Sequence, residues 1–169
     1  MIQKFSSAGT SINSTKLPAV YRKAKLTAKY VLDYGCGRYT DHIRESLPGR
    51  VYLPYDPFNQ PYEVNEATRL AMGRAEYDGT PVDVICSNVL NVINDDWTVG
   101  AIARYIEHVT ETTGGTAYIT VYEGDRSGIG RQTGPDQYQR NEPLRNYLRF
   151  FRNATVRSGM IVIAPAKSC

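Results

Sequence analysis

Apolar and polar positions divide the chain into short buried runs and longer two-faced segments. Runs rich in β-branched and aromatic residues are predicted strands, at residues 30–34, 50–56, 82–88 and 116–122. Segments with apolar residues at helical spacing are predicted helices, at residues 17–26, 40–47, 63–75, 95–112 and 142–151. Residues 154–164 divide around Ser158 and Gly159 into a terminal hairpin. This alternation predicts an α/β fold, with a mostly parallel sheet, helices on both faces and a C-terminal antiparallel hairpin.

The helix predicted at residues 95–112 has the clearest periodicity. Its apolar residues recur at every fourth position, at Trp97, Ala101, Tyr105 and Val109, with Ile102 and Ile106 beside them, which predicts one buried face. Asn94 stands at the predicted N-cap, and two glycines follow the last turn. We therefore expect this helix to pack against the sheet through that face.

Composition is consistent with one globular domain that has an ordinary core. The chain has 169 residues, of which 41% are hydrophobic and 22% charged. No apolar run approaches the roughly 20 residues needed to cross a bilayer. Residues 1–15 lack the apolar segment of a secretory signal. We therefore expect a cytoplasmic protein with a partly ordered N-terminal arm at residues 1–15, followed by a single domain at residues 16–169.

Cysteine and histidine are too few and too scattered for metal or triad chemistry. Cys36, Cys86 and Cys169 are odd in number and far apart, which argues against a disulfide framework. His42 and His108 are the only histidines, and neither belongs to a metal-ligand spacing. We therefore expect no metal site and no Ser/His/Asp triad.

Basic residues concentrate in two segments, although the net charge is only +3. Residues 16–29 contain lysine and arginine without any acid, and residues 126–157 contain seven arginines. Tyrosines are interleaved with both segments, a mixture compatible with phosphate contact and base stacking. A solvated helix face explains the same charges equally well. Nucleic acid is therefore an expected partner with an open alternative, and no membrane partner is expected.

Glycines and polar residues follow the predicted strands at their carboxyl ends. Residues 33–37 end the first strand, Asp56 closes the second, residues 87–91 follow the third, and Tyr122 follows the fourth. Ligands of parallel α/β sheets bind at these ends, near the point where strand order reverses. The sequence therefore predicts a ligand site at this edge of the sheet.

The turn DYGCGR narrows the choice of ligand. Gly35 and Gly37 permit a tight turn and a close approach of the backbone to a ligand. The dinucleotide fingerprint G-x-G-x-x-G needs a third glycine where Thr40 stands, and no P-loop G-K-[ST] follows. Asp33 would repel a pyrophosphate but attract an amine or another cation, and Asp56 is placed to accept from ribose hydroxyls. A purely structural turn is the alternative.

A ligand with a ribose, an amino acid end and a positive centre is S-adenosylmethionine. The chain here resembles the class I S-adenosylmethionine-dependent methyltransferases, which have an acid before G-x-G and a ribose-binding acid at the end of the second strand. Tyr39 departs from the third glycine of that motif. The resemblance implies a Rossmann-like domain and S-adenosyl-L-methionine as the cofactor. It also implies the following cofactor-binding residues: Asp33, Tyr34, Gly35, Gly37, Asp56, Pro57, Ser87 and Asn88.

A closer similarity extends over most of the chain from about residue 9. Methyltransferases found beside DNA phosphorothioation systems, and small phage methyltransferases, have segments similar to TKLPAVYRKAK, DYGCGR, YDP, VICSNVLNVI and QYQRNEPLRNYL. This similarity supports the cofactor better than any particular methyl acceptor. For a phage-encoded chain, it implies location in the host cytoplasm.

Methyl transfer from a sulfonium needs few catalytic residues, because proximity and alignment supply most of the acceleration. Asn88 follows the strand that flanks the transferred methyl in this fold, and Tyr122 begins a loop that could approach the acceptor. These two residues are the catalytic candidates. A role for Asn88 and Asn91 as caps of the next turn fits equally well. The sequence SNVL is not the D-P-P-Y motif of DNA amino-methyltransferases.

Residues 123–141 are predicted to form a long loop that contains four glycines. Such a loop is usually a functional lid or a flexible segment. As a lid it would close over cofactor and acceptor through Arg126, Arg131 and Tyr138, and as a flexible surface loop it would have no such role.

Two functional classes stay open. The first is a methyltransferase that acts on nucleic acid or another acceptor. The second is a non-catalytic S-adenosylmethionine- or nucleic-acid-binding module. The short spacing between Asp56 and Val82 favours the module, because it leaves open whether the third strand usual in this fold is lost, replaced or present. A NAD-dependent enzyme is disfavoured by Thr40.

Overall fold

The computed structural model describes residues 15–165, which are organised around a six-stranded sheet. In chain order the strands are β1 Tyr30–Tyr34, β2 Val51–Tyr55, β3 Val82–Ser87, β4 Ala117–Thr120, β5 Arg131–Gly134, β6 Gln137–Gln139, β7 Thr155–Arg157 and β8 Met160–Ile163. The sheet order is β2-β1-β3-β4-β8-β7, and β5 and β6 form a separate antiparallel pair. Strands β2, β1, β3 and β4 are parallel, whereas β8 runs antiparallel to β4 and to β7. The predicted α/β fold with a C-terminal antiparallel hairpin is confirmed, and its character is Rossmann-like.

Helices pack on both faces of this sheet. They are α1 Val20–Lys23, α2 Asp41–Glu45, α3 Tyr62–Asp78 and α4 Asp96–Thr113, with 3-10 helices at Leu90–Val92 and Leu144–Phe150. Successive strand residues point to opposite faces, so β1 contributes to two cores. Leu32 packs in the core beneath α3 and α4, and Val31 packs in the core beneath α1 and α2.

The predicted helix at residues 17–26 is shorter than expected, because the chain leaves the helical path after α1. The N–H groups of Thr27 and Ala28 donate to Asp83 Oδ2 at 2.7 and 2.8 Å. Asp83 is fully buried, and these bonds direct the chain into β1. The predicted helix at residues 142–151 is a 3-10 helix, which begins two residues later and ends one residue earlier than predicted.

The predictions for α4 were wrong in two details. Asp95, not Asn94, is the N-cap, and its carboxylate accepts from the N–H of Thr98 at 2.8 Å. The buried face includes Ile106 and Val109 as predicted, but it is centred further round the helix, with Val99, Ala103 and Thr110 also buried. Trp97 is 75% exposed. The reason is that the first turn of α4 lies beyond the strand ends, where a ligand cavity replaces the core.

Strand β2 forms one edge of the six-stranded sheet, and no strand of residues 15–165 pairs with its outer side. The sequence left open whether the usual third strand is present, and in the described part of the chain no strand takes its place beside β2. The N–H of Val51 donates to the carbonyl of Lys29, on the β1 side, at 2.8 Å. Because successive residues of a strand face opposite sides, Pro54 faces the open edge, where its lack of an N–H costs no hydrogen bond of the sheet. The hydroxyl of Thr68 on α3 donates to the carbonyl of Pro54 at 2.6 Å. The edge is thereby protected against pairing with another strand.

A buried glutamate joins α4 to the chain entering β7, and its removal is expected to destabilise the fold. Glu107 is 1% exposed, and its Oε1 accepts from the N–H groups of Arg152 and Asn153 at 2.6 and 3.0 Å. Glu107→Ala leaves both donors unpaired, so we expect the free energy of unfolding to fall by about 2–4 kcal/mol. Urea unfolding measures this loss. The matched variant Glu111→Ala, one turn along α4 at a solvent-exposed pair with Arg152, should change it by less than about 1 kcal/mol. Equal losses in the two variants would contradict the assignment.

Candidate functional site

A cavity of about 890 Å³ lies beyond the carboxyl ends of the parallel strands. It opens where the strand order reverses, since the chain passes from β1 to β2 on one side and β3 pairs with β1 on the other. Its wall includes most of the residues proposed from the sequence, namely Asp33, Tyr34, Gly35, Asp56, Pro57, Ser87, Asn88 and Tyr122. Gly37 does not line the cavity, and its N–H is bonded to Asp56.

The G-x-G turn after β1 is held in place by contacts within the protein. Gly35 has φ +79°, and a Cβ on it would lie 2.3 Å from Val89 Cγ2. The N–H groups of Gly35 and Cys36 donate to the carbonyl of Tyr55 at 2.7 and 3.3 Å. The N–H of Gly37 donates to Asp56 Oδ2 at 3.0 Å. Because these three N–H groups already have acceptors, they are not free to bind a phosphate.

Asp56 connects the two loops that follow β1 and β2. Besides Gly37, its carboxylate accepts from the N–H groups of Phe58 and Asn59 at 3.0 and 3.1 Å, and from Asn59 Nδ2 at 3.0 Å. Asn65 on α3 donates to the Asp56 carbonyl at 3.0 Å and accepts from its N–H at 2.9 Å. In this structure Asp56 therefore positions the turn, and Asn65, which no sequence pattern indicated, positions Asp56.

Asp33 is a buried carboxylate in the wall of the cavity. Its Oδ2 accepts from the hydroxyl of Tyr52 at 2.7 Å. Burial raises the pKa of Asp33 to about 6, and the hydrogen bond from Tyr52 partly offsets this effect. A cationic group in the cavity would stabilise the ionised carboxylate, so this position is suited to an amine or a sulfonium.

The chain after β3 turns sharply through Asn88, which has φ +57°. Its N–H donates to the carbonyl of Thr120 at 2.9 Å, and the Thr120 hydroxyl donates to Ser87 Oγ at 3.1 Å. These bonds join the ends of β3 and β4. Asn91 follows in the 3-10 helix, where it is buried and its Nδ2 donates to Gln139 Oε1 at 3.1 Å. Neither asparagine makes a side-chain cap of that helix within the described residues.

The segment at residues 123–141 contains the hairpin β5–β6, so the prediction of a loop without secondary structure was wrong. The hairpin contributes six residues to the cavity wall: Arg131, Thr133, Asp136, Gln137, Tyr138 and Gln139. Of the three residues proposed for a lid, Arg131 and Tyr138 line the cavity. Arg126 does not, and it pairs with Glu123 at 2.6 Å. Gly130 leaves room for the Tyr138 hydroxyl, which lies 1.7 Å from where a Cβ on this glycine would be.

Four large aromatic side chains in the cavity wall remain exposed to solvent. They are Tyr39, Phe58, Trp97 and Tyr122, with exposed fractions between 43% and 75%. Phe58 and Trp97 were not proposed as site residues from the sequence, because Phe58 is an isolated apolar position and Trp97 has the spacing of a core residue. Flat apolar rings around a cavity are typical of a binding surface for planar groups.

Ion pairs occupy much of the second basic segment. Arg140 is buried and pairs with Asp96 and Glu142, at 2.8 and 3.2 Å. Arg149 and Arg152 also pair with carboxylates. Arg131, Arg145 and Arg157 are exposed and make no ion pair with residues 15–165. The basic surface available to nucleic acid is therefore smaller than the sequence suggests.

Cys36 and Cys86 are free thiols, and burial raises the pKa of both. Cys169 lies outside the described residues, as does most of the predicted arm. Residues 15–165 contain no group of three or more acidic, histidine or cysteine side chains that could hold a metal ion. In the same part of the chain, no helix is both long and apolar enough to cross a membrane.

Comparison of the chain with protein-family models, with curated proteins and with solved structures finds no match. The cavity and its residues therefore carry the argument for function. Their chemistry favours a ligand that is cationic near Asp33 and planar near the aromatic rim.

Proposed function

We propose that the protein is an S-adenosylmethionine-dependent methyltransferase. The observation that carries the proposal is the pairing of a buried carboxylate, Asp33, with a glycine turn whose N–H groups are already bonded. Such a site attracts a cation and disfavours a pyrophosphate, which separates a sulfonium cofactor from a dinucleotide. The motif similarity to methyltransferases beside DNA phosphorothioation systems and in phages supports the same assignment.

The residues present fit this cofactor. Asp33 would hold its cationic part, and Gly35 lets the backbone approach without a side chain in between. Pro57 and Phe58 follow Asp56 in the loop after β2 and offer an apolar surface for the adenine. Asp56 already accepts four donors, so a ribose hydroxyl would compete with the Asn59 amide for Oδ2.

S-adenosylmethionine supplies a methyl group on a sulfonium, which leaves as a neutral thioether when an acceptor lone pair attacks the methyl carbon. The protein's part is to align the acceptor and to exclude water. Asn88 and Tyr122 are the proposed alignment residues, because they lie at the ends of β3 and β4 in the same cavity wall. The methylated acceptor then loses its proton to solvent.

A non-catalytic binding module is the second candidate. It is favoured by the engaged carboxylate of Asp56 and by the sheet edge at β2, where the usual third strand would complete an adenine pocket. The exposed aromatic rim and Arg131 would serve such a module in binding single-stranded nucleic acid.

Calorimetric titration with S-adenosylmethionine, S-adenosylhomocysteine and NAD tests the proposal. We expect micromolar binding of the first two and none of NAD, because the N–H groups of Gly35, Cys36 and Gly37 are already bonded within the protein and are not free for a pyrophosphate. Binding followed by methyl transfer to DNA, RNA or small amines would establish the enzyme. Binding without transfer to any of them would favour the module. Tighter binding of NAD than of S-adenosylhomocysteine would contradict the assigned cofactor.

A further inference from the structure

A basic segment crosses one face of the sheet. Leu17 and Pro18 line the cavity at the carboxyl ends of the strands, whereas Lys29 directly precedes β1 at the amino ends. Between them, α1 packs on the face of the sheet that contains Val31. The five residues of β1 give this face a length of about 17 Å. The basic side chains of residues 16–29 are therefore spread along the face and are not grouped at one point.

Side chains from three neighbouring elements fix the backbone of this segment. The hydroxyl of Tyr118 on β4 donates to the carbonyl of Lys25 at 2.9 Å. Arg50, which directly precedes β2, donates from Nη2 to the carbonyl of Leu26 at 2.7 Å. Asp83 on β3 accepts from the N–H groups of the next two residues. Because the backbone is already fixed, only the lysine and arginine side chains have to be ordered when they bind a partner.

The bases of this segment are not neutralised within the protein. Residues 16–29 contain five lysines and arginines and no acid, so the rest of the chain has a net charge of −2 against the total of +3. The ion pairs of the second basic segment have no counterpart here. Four of the bases are exposed and pair with no carboxylate of residues 15–165, namely Arg22, Lys23, Lys25 and Lys29.

The terminal hairpin adds Arg157 to the same face. Arg157 is directly opposite Met160 in the β7–β8 pair, and opposed residues point to the same side of a sheet. Met160 packs with Val20 of α1 in the core of this face. The Nζ atom of Lys23 lies 3.7 Å from where a Cβ on Gly159 would be, two residues beyond Arg157. Five exposed bases thus form what we call the α1 surface: Arg22, Lys23, Lys25, Lys29 and Arg157.

The α1 surface presents charge without apolar groups. None of the eight exposed large apolar side chains of residues 15–165 belongs to residues 16–29, to β7 or to β8. Tyr21 and Tyr30, which the sequence interleaves with the bases, pack against the two cores. Binding to a membrane surface scales with the apolar area buried in it, and single-stranded nucleic acid is bound through aromatic rings on which its bases stack. Duplex phosphates can be contacted without either.

We propose that the α1 surface binds the sugar–phosphate backbone of a double-stranded nucleic acid, without reading its sequence. Each base that contacts a phosphate releases a counterion, and this release drives the binding. None of the five residues of the α1 surface lines the cavity. The binding therefore does not depend on the proposed methyl transfer, and it is separate from the aromatic rim of the cavity.

Fluorescence anisotropy of a labelled duplex, titrated with the full chain at several salt concentrations, tests the proposal. We expect a slope of log affinity against log salt of about −3 or steeper, because each phosphate contact contributes about −0.9. A second duplex of unrelated sequence should bind equally well. A shallower slope, a marked preference for one sequence, or no binding at about 50 mM salt overturns the proposal.

Two charge-matched double variants locate the contact. Lys23→Ala with Arg157→Ala should make the slope shallower by about 2 and weaken binding about 10- to 100-fold at about 0.1 M salt. Arg74→Ala with Arg145→Ala removes two exposed bases from the opposite face, where α3 and the second 3-10 helix pack, and should leave the slope unchanged. If the first variant changes the slope no more than the second, net charge explains the binding and the α1 surface is overturned. Thermal unfolding shows that both variants are folded.

Two further probes decide the class of partner. The labelled strand without its complement should bind more weakly than the duplex, and vesicles of phosphatidylcholine and phosphatidylserine should not bind at about 0.1 M salt. Equal or tighter binding of the single strand overturns the duplex assignment. Vesicle binding that is lost in Lys23→Ala with Arg157→Ala assigns the surface to a membrane. No cofactor is present in these titrations, so their outcome and that of the S-adenosylmethionine titration are independent.

Discussion

Asp33→Asn is expected to weaken the binding of S-adenosylmethionine about 10- to 100-fold at neutral pH. The variant keeps an oxygen for the Tyr52 hydroxyl but removes the negative charge that faces the cation. A charge-assisted hydrogen bond contributes about 1.5–3 kcal/mol, which corresponds to this loss. Calorimetry measures the affinity. Asp41→Asn, which removes an exposed acid outside the cavity, is the matched control and should bind as the wild type does.

The pH dependence of cofactor binding by the wild type follows from the raised pKa of Asp33. Burial raises that pKa to about 6, and only the ionised carboxylate attracts a cation. We therefore expect wild-type affinity to rise with pH until about pH 6 and then level off, with release of up to one proton on binding below that pH. Asp33→Asn should show neither effect. A wild-type affinity independent of pH between 5 and 7 would contradict the assigned contact.

In Asp33→Asn, the free energy of unfolding should change in the opposite direction from the affinity for the cofactor. A carboxyl whose pKa is higher in the folded state stabilises the fold below the unfolded pKa, and this contribution is lost as pH rises through about 6. The loss amounts to about 3 kcal/mol for Asp33. Asp33→Asn avoids it, so above pH 6 the variant should be more stable than the wild type while binding less. A variant that loses both stability and affinity would indicate a structural role instead.

Gly35→Ala is expected to lower the free energy of unfolding by about 2–4 kcal/mol and to abolish cofactor binding. The new Cβ would lie 2.3 Å from Val89 Cγ2 at a positive φ of +79°. Overpacking and a left-handed alanine each cost about 1–2 kcal/mol. Urea unfolding and calorimetry measure the two effects. Binding would be lost because the turn would distort at the point where the cofactor is proposed to contact the protein backbone.

Gly49→Ala separates the cost of steric overlap with Val89 from the cost of a left-handed alanine. Gly49 has nearly the same φ, +76°, but a Cβ there meets no atom within 4 Å. Its cost should be about 1 kcal/mol, from the backbone alone. Adding Val89→Ala to Gly35→Ala should recover the steric part in a double-mutant cycle. If Gly35→Ala costs no more than Gly49→Ala, the close approach of Val89 has no energetic role.

The parallel strands were predictable because each is a continuous apolar run that ends in a polar or glycine residue. β1, β2 and β3 occur within a residue of the predicted positions, and their ends place Asp33, Asp56 and Asn88 at one edge of the sheet. The terminal hairpin was predictable from Ser158 and Gly159, which both have positive φ. These signals are local, so the sequence contains them without reference to distant residues.

The contacts that complete the site are not local. Gln139 meets Asn91 across 48 residues, and Asp56 depends on Asn65 of a helix that the sequence marks only by its apolar period. The prediction that Trp97 belongs to the buried face of α4 was wrong for a related reason. Trp97 has the spacing of a core residue, but the core ends where the strands end.

By itself the sequence determined the α/β class, the positions of the buried strands and the edge where polar residues collect, because apolar period and turn chemistry act over a few residues. The tertiary structure decided which of those polar groups are hydrogen-bonded within the protein and which line the cavity. It engages the carboxylate of Asp56 and the amides of the glycine turn within the protein. It places Asp33 in the cavity wall, where its carboxylate accepts from the Tyr52 hydroxyl. That division depends on hydrogen-bond partners distant in sequence, which only the folded chain brings together.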